Sequence, residues 1–422
     1  MGREPSSAKT ASLVKESINH ILASALGNGV KTIHIEPSTN FILVRFRRGT
    51  KLEIVNKLPA SNAEALSAEL KKMANLDSSK TTIPQYGLTK LEVAKKLHEF
   101  QIVTLPVIGG EKITIDVLDN ATEGASLETI GLWGKALSSV GQALATNHGL
   151  ILITSPGLKP AQDLLGLMLT TVVSPTHKMI YIGPIVSGIP LSVDIQNDDD
   201  LSRRLKALRV ADYSIVALGL VGSSQVARQI NDLVLMNQHV MAVLPASSVI
   251  QAAMVWQQMV NEPLSLSLVI NQQTVAGLCD NCKQSYEPSV IEQVQLSTNF
   301  QVDKPDAMKD LHALEVSAIK AGLGTDDEPS SSPGKVLRLW RRDPHGCSQC
   351  NFSGYDKDIG IFEVLTPSDK FLGELARKTS STKLQATAES DGLISLKTDA
   401  LIKALRGLVD FKTVINICST AN

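Results

Sequence analysis

Four short, almost uninterrupted apolar runs separated by helical stretches constrain this chain more than any other feature. They are HGLILIT at 148–154, KMIYIGPI at 178–185, YSIVALGL at 213–220 and HVMAVLP at 239–245. A strand buried on both faces has no polar side to alternate with, and a helix between successive strands lets them run parallel. The pattern therefore predicts a parallel sheet covered by helices on both sides.

The region before these runs has a different rhythm. Ser12–Leu26 places Leu13, Ile18, Ile21, Leu22 and Leu26 mostly at three- and four-residue steps, as an amphipathic helix does. TIHIEP, FILVRFRR and KLEIVNKL follow as strand candidates, with Gly49 at the turn between the last two. A second helix is expected from about Asn62 to Leu76. Irregular sequence then leads to two more strands, EFQIVTLPVI and KITIDVLD. Helix, strands, helix, strands reads as a small α+β domain over 12–121, preceded by a disordered tail at 1–11. The linker ATEGAS leads into a larger domain over 127–422. Within that domain 289–335 turns polar, ends in TDDEPSSSPGK, and reads as a flexible insertion. FLGELARKTS, DGLISLKTDALIKALRG and FKTVINIC close the chain as helices.

Composition excludes some classes of function. No apolar run approaches the ~18 residues a membrane span needs, and the start MGREPSSAKTAS has no apolar stretch of signal-peptide type. A soluble cytoplasmic protein is expected, without direct membrane insertion. The formal net charge of −1 gives no whole-molecule attraction to nucleic acid or acidic lipid. The linear sequence also lacks interleaved basic and aromatic residues, so no nucleic-acid partner is expected.

Cys279 and Cys282 form CDNC, and Cys347 and Cys350 form CSQC. Two residues between cysteines let both sulfurs reach one ion, so two such knuckles can offer four thiolates to one tetrahedral zinc. The gap between the knuckles exceeds common zinc-ribbon spacing, and the polar insertion would account for much of it. The alternative is four unrelated buried or redox cysteines. Cys418 stands alone on a terminal apolar helix, where core packing is its expected role.

These cysteine pairs carry a resemblance. GLCDNCKQSYEPS and GCSQCNFSGYDKDIGIFEVL look like the tetracysteine zinc region of the motor ATPases of type II secretion and type IV pilus assembly. In the same order along the chain, IHIEP with VRFRRG, MANLD, TLPVIGGEKITIDVLD, HGLILIT and DGLISLKTDALIKALRG resemble further segments of that family. The resemblance implies an α/β fold. A small α+β N-terminal domain would precede a RecA-like parallel-sheet domain of the P-loop NTPase type, which carries a tetracysteine zinc region at 279–365. It also implies a member without the family's additional N-terminal domain, which docks to the membrane platform.

The same resemblance exposes losses. A phosphate loop reads GxxxxGK[ST]: its backbone N–H groups close on phosphate, its lysine adds charge, and its hydroxyl holds Mg²⁺. Here LIT is followed by Ser155, Pro156, Gly157, Leu158, Lys159, Pro160, Ala161 and Gln162. The family's first glycine falls on Ser155 and its second on Leu158, while the lysine falls on Ala161 and the Ser/Thr on Gln162. The acidic EDPIE segment resembles IGPIV at 182–186, without its carboxylates, and the Walker B segment resembles IVALGLVG at 215–222, without its acid. The histidine motif resembles VLPASSV at 243–249, with Ala246 at the histidine, although His239 survives before that strand. Family arginines that reach a neighbouring subunit's phosphates would stand at Leu88 and Gln101. Arg45, Arg47 and Arg48 remain, read as a solvated strand end.

Loss at five places beside intact cysteines and strand pattern reads as a fold kept without its reaction. The expected protein is a non-hydrolysing pseudo-ATPase with zinc and without ATP or Mg²⁺. Its expected partners are pilus or secretion machine subunits: an intact motor ATPase paralogue or the inner-membrane platform protein, the latter giving a peripheral location at the inner face of the membrane. The rival is an active motor with an unorthodox loop that uses Lys159.

Overall fold

The computed structural model describes residues 7–48, 51–118, 125–174, 178–183, 192–193, 198–211, 213–261, 265–324 and 327–420. The chain divides into two compact units, Met1–Ala121 and Thr122–Asn422.

The first unit begins with helix α1 (Ser7–Gly27). Strands β1 (Thr32–Pro37), β2 (Phe41–Arg48) and β3 (Lys51–Pro59) follow, then helix α2 (Ala63–Met73) and strands β4 (Gln85–Val93), β5 (Lys96–Val107) and β6 (Gly110–Val117). Helix α1 starts within the expected disordered tail, of which residues 1–6 lie outside the described residues. The six strands form one antiparallel sheet in the order β3-β2-β1-β6-β5-β4. Period-2 alternation sends Ile33, Ile35, Ile42, Val44, Phe46, Phe100, Ile102, Ile113 and Ile115 to one face. There they form a core with Val14, Ile18, Ile21 and Leu22 of α1 and Leu66 and Leu70 of α2. Strand β4 lies where the sequence reads as irregular. At an edge of the sheet it has one neighbour, so only one side of its ladder is set by pairing.

The second unit runs α3 (Gly134–Ala145), β7 (Gly149–Thr154), α4 (Leu158–Val172), β8 (Met179–Ile182), β9 (Ser192–Val193), α5 (Asp198–Leu208) and β10 (Ile215–Leu218). It continues through α6 (Ser224–Leu235), β11 (His239–Val243), α7 (Val249–Val260), β12 (Leu266–Leu278), β13 (Gln284–Tyr286), α8 (Val290–Phe300), α9 (Pro305–Lys320), β14 (Ser331–Ser332), β15 (Lys335–Val336) and β16 (Leu339–Arg341). Strand β17 (Tyr355–Leu365) and helices α10 (Asp369–Ala376), α11 (Ser381–Ser390), α12 (Leu396–Leu405) and α13 (Phe411–Thr420) complete it.

Its main sheet has the order β17-β12-β7-β11-β10-β8-β9, parallel except for the β12–β17 pair. The four apolar runs supply β7, β8, β10 and β11, and their residues alternate between two cores. Leu150, Leu152, Val216, Leu218, Val240 and Ala242 face α5, α6 and α7. Ile151, Ile153, Tyr181, Ala217, Met241 and Val243 face α3 and α4.

The expected flexible insertion at 289–335 is a correction. Its first two-thirds form α8 and α9, and short β14 and β15 pair within the rest. Ser289 and Glu292 close a capping box at the start of α8, and Pro305 opens α9 with the φ a first turn needs. The stretch is polar because each helix buries only a narrow stripe. Leu296, Met308, Leu311 and Ala318 join a third core, with α12 and α13, that also takes Cys418.

Candidate functional site

In a parallel sheet of this kind, ligands meet the edge formed by the carboxyl ends of the strands. Here β7 ends at Thr154, and only Ser155–Gly157 separate it from α4. Gly157 is extended (φ −109°, ψ 143°) and gives α4 no side-chain cap, so the turn is short and no glycine in it uses a left-handed conformation. Ser155 and Ala161 are buried. Reading the loop pattern back from Ala161 puts Pro160 at its last glycine. That proline removes one of the helix-terminal N–H groups a phosphate would use.

The remaining candidates are committed elsewhere. Lys159 Nζ lies 2.5 Å from Asp163 Oδ1 one turn along α4. Gln162, at the Mg²⁺-hydroxyl position, donates from Nε2 to the carbonyl of Gly219 at 3.0 Å, just past β10. The segment 215–222 contains no carboxylate. Its backbone pairs sideways, Gly219 N to Ile182 O and Val221 N to Val243 O, both at 2.8 Å. Of the EDPIE-like segment, Ile182 ends β8, while 184–186 lie outside the described residues. After β11, Thr154 Oγ1 donates to Ala246 O at 2.9 Å and Asn271 Nδ2 to Ser247 O at 3.0 Å. Glu363, on β17, accepts the N–H of Val249 at 3.0 Å where α7 begins. Burial pushes its carboxyl up to about 7 despite the N–H groups of Val249 and Leu396.

His239 opens β11 at the opposite end of the strand and sits 2.6 Å from Thr146 O through Nδ1, so it serves the far side of the sheet. In the first unit Leu88 and Gln101 are cross-strand partners on β4 and β5. Arg45 is not the solvated strand end that the sequence suggests. It sits mid-strand, 3.3 Å from Glu36, which Lys112 also approaches at 2.9 Å.

The cysteines are brought together. The sulfurs of Cys279, Cys282, Cys347 and Cys350 all lie within 4.8 Å of one another. Cys279–Cys347 and Cys282–Cys350 are 3.8 Å apart, and Cys347–Cys350 3.7 Å. Four sulfurs at about 2.3 Å from a central ion form a tetrahedron with edges of about 3.8 Å, so the donor set fits a tetrahedral thiolate-bound metal. Burial works against the Cys350 thiolate, but the N–H groups of Cys347 and Gly354 outweigh it and bring the thiol down to about 6. Burial and the neighbouring thiols push Cys282 up. Outside the sulfurs, Asp280 ties Lys283 at 2.6 Å and Lys357 at 2.7 Å, and β13 pairs with β16 to carry both knuckles. Basic and aromatic side chains do interleave here, which their linear order hides: Arg341 stacks on Tyr286, Arg342 on Tyr355, and Lys283 and Arg338 on Trp340. Asp280 beside Lys283 and Lys357, Glu292 beside Tyr286, and Asp410 beside Tyr355 offset that charge.

Comparison with known proteins agrees with this architecture. The sequence model of the Type II/IV secretion system protein family matches residues 7–159 and 192–416. The chain is 26% identical over 407 residues to the type IV pilus assembly ATPase PilB of Pseudomonas aeruginosa, covering 94% of this chain and 66% of that protein. It is also 26% identical over 409 residues to the type II secretion system protein E of Pectobacterium carotovorum, covering 95% of this chain and 74% of that protein. Among solved structures, the Legionella pneumophila ATPase DotB matches with TM-score 0.59 and 12% identity, over 96% of this chain and 95% of its own. The pilus retraction motor PilT with bound ADP matches with TM-score 0.54 and 11% identity, over 95% and 96%. These two structural likenesses establish the fold.

Proposed function

Because the chain belongs to the Type II/IV secretion system protein family, we propose that it serves a pilus or secretion machine as a subunit that does not hydrolyse ATP. The observation that carries this reading is the state of the phosphate-binding edge. Ala161 is buried at the lysine position, Gln162 at the hydroxyl position is bonded to Gly219 O, and 215–222 offers no acid. Phosphoryl transfer depends on positioning and on neutralising charge, so an edge without lysine, metal hydroxyl or acid supplies neither. The alternative use of Lys159 is disfavoured by its pairing with Asp163.

The work left to such a subunit is contact with other proteins of the machine, an intact motor paralogue or a platform protein. Among the described residues no helix is long and apolar enough to cross a membrane, so contact with the membrane would come through those partners. The ion proposed for the four cysteines is zinc. A shell of four thiolates is closed, so zinc there would brace the fold and leave no position for substrate.

Titration calorimetry with Mg-ATP tests the reading. Heat should be at background, and phosphate release should not exceed the uncatalysed rate. Micromolar binding that disappears in Lys159→Ala would overturn it in favour of an active motor.

A further inference from the structure

The edge that would receive nucleotide is laced across by side chains belonging to different elements. On β17 Glu363 accepts from Val249 N, on β12 Asn271 donates to Ser247 O, and on β7 Thr154 donates to Ala246 O. All three hold the segment between β11 and α7. From α4, Gln162 then reaches Gly219 O past β10, and the backbone bonds Gly219 N to Ile182 O and Val221 N to Val243 O extend the lacing to β8 and β11. The positions are equivalent along the sheet, because Thr154 pairs in register with Asn271, and Asn271 with Glu363.

We infer that this belt is a ligand-independent latch, with Gln162 as the side-chain hydrogen bond from α4 to the segment after β10, and that it holds the parallel-sheet unit in one conformation. The inference rests on the non-hydrolysing reading of the same edge. Where a phosphate-binding edge stays open, the helix N-terminus and the neighbouring strand ends are bridged by ligand and metal, and the bridge breaks when they leave. Here the bridge is an amide-to-carbonyl bond within the protein. Gln162 is half-buried, so its donor would lose a partner if the segment after β10 moved away. The subunit would therefore present the same surface whether or not nucleotide is present.

Amide hydrogen exchange on the full chain tests this. In the wild type, the bonded amides of Gly219, Val221, Leu244 and Val249 should be protected, and 1 mM Mg-ATP should leave them unchanged. Gln162→Ala, and Gln162→Met, which keeps volume but loses the donor, should each speed exchange at Gly219 and Val221 by about fivefold, as loss of one such hydrogen bond implies. Exchange around the cysteines should not move. Variants that exchange at the wild-type rate at Gly219 and Val221 would overturn the latch. Protection of the wild-type edge by Mg-ATP together with phosphate release above the uncatalysed rate would overturn the non-hydrolysing reading instead, so the two failures look different.

Discussion

The sulfurs of Cys279 and Cys347 stand 3.8 Å apart although 68 positions of chain separate them. Helices α8 and α9 occupy that interval, and the β13–β16 pairing returns the second knuckle to the first. One metal per chain in a sulfur-only shell is therefore expected, read by elemental analysis and X-ray absorption. Replacing Cys279 or Cys350 by Ser should lower Tm by roughly 10 °C, since the lost metal binding is lost folding energy. Metal-free protein whose four thiols all titrate in the native state would refute the site.

Glu363 should make stability fall as pH rises. Its folded pKa, about 7, is above its ordinary value of 4.5, so the folded state holds the extra proton between those values. Stability should decline from pH 4.5 to 7 and then level off, by at most about 3 kcal/mol for this group. Glu363→Gln should remove that slope. Its amide oxygen can still accept from Val249 N. Urea titrations at pH 5 and pH 8 measure it, and equal slopes in both proteins would count against the assignment.

The buried pair Lys403–Asp399, 2.5 Å apart, joins α12 to β17 and to the segment before α3. Asp399 accepts from Trp133 Nε1 at 2.7 Å and Phe362 N at 2.8 Å, and Lys403 donates to Gly360 O at 2.7 Å. Asp399→Ala leaves a buried ammonium with only the Gly360 carbonyl and the face of the Phe362 ring, and should cost about 3–5 kcal/mol. Adding Lys403→Met should recover part of that loss, because the uncompensated charge is then gone. Chemical denaturation of the single and double variants gives the comparison, and additive losses would argue against a coupled pair.

Assembly should reflect the altered edge. The resemblance to the secretion and pilus motors implies a ring of subunits whose seams nucleotide helps to hold; if the proposed reading is right and the edge takes no nucleotide, that mass-action stabilisation is unavailable. Light scattering should find a monomer or small oligomer for the isolated protein, and larger species only with an intact paralogue and ATP. A stable homohexamer without nucleotide would show that apolar packing alone closes the ring.

The sequence by itself determined the parallel sheet and the fold class, because β7, β8, β10 and β11 are buried on both faces and must be apolar along their whole length. It determined the residues of the turn after β7 as well, since the side chains at those positions are read without coordinates. It did not reveal β12 and β17, whose polar stretches Asn271–Thr274 and Tyr355–Asp358 interrupt the pattern; the first pairs with Gly360–Glu363 and the second with Ala276–Leu278. Nor did it reveal α8 and α9 as ordered. Their polarity conceals Glu315, which is buried only because Arg406 and the Ser330 N–H, contributed by distant chain, meet it. Tertiary structure alone decided where Lys159 and Gln162 point, and that Thr154, Asn271 and Glu363 fasten one loop. Hydrogen bonds between elements depend on strand order and register, which the local pattern of a sequence does not encode.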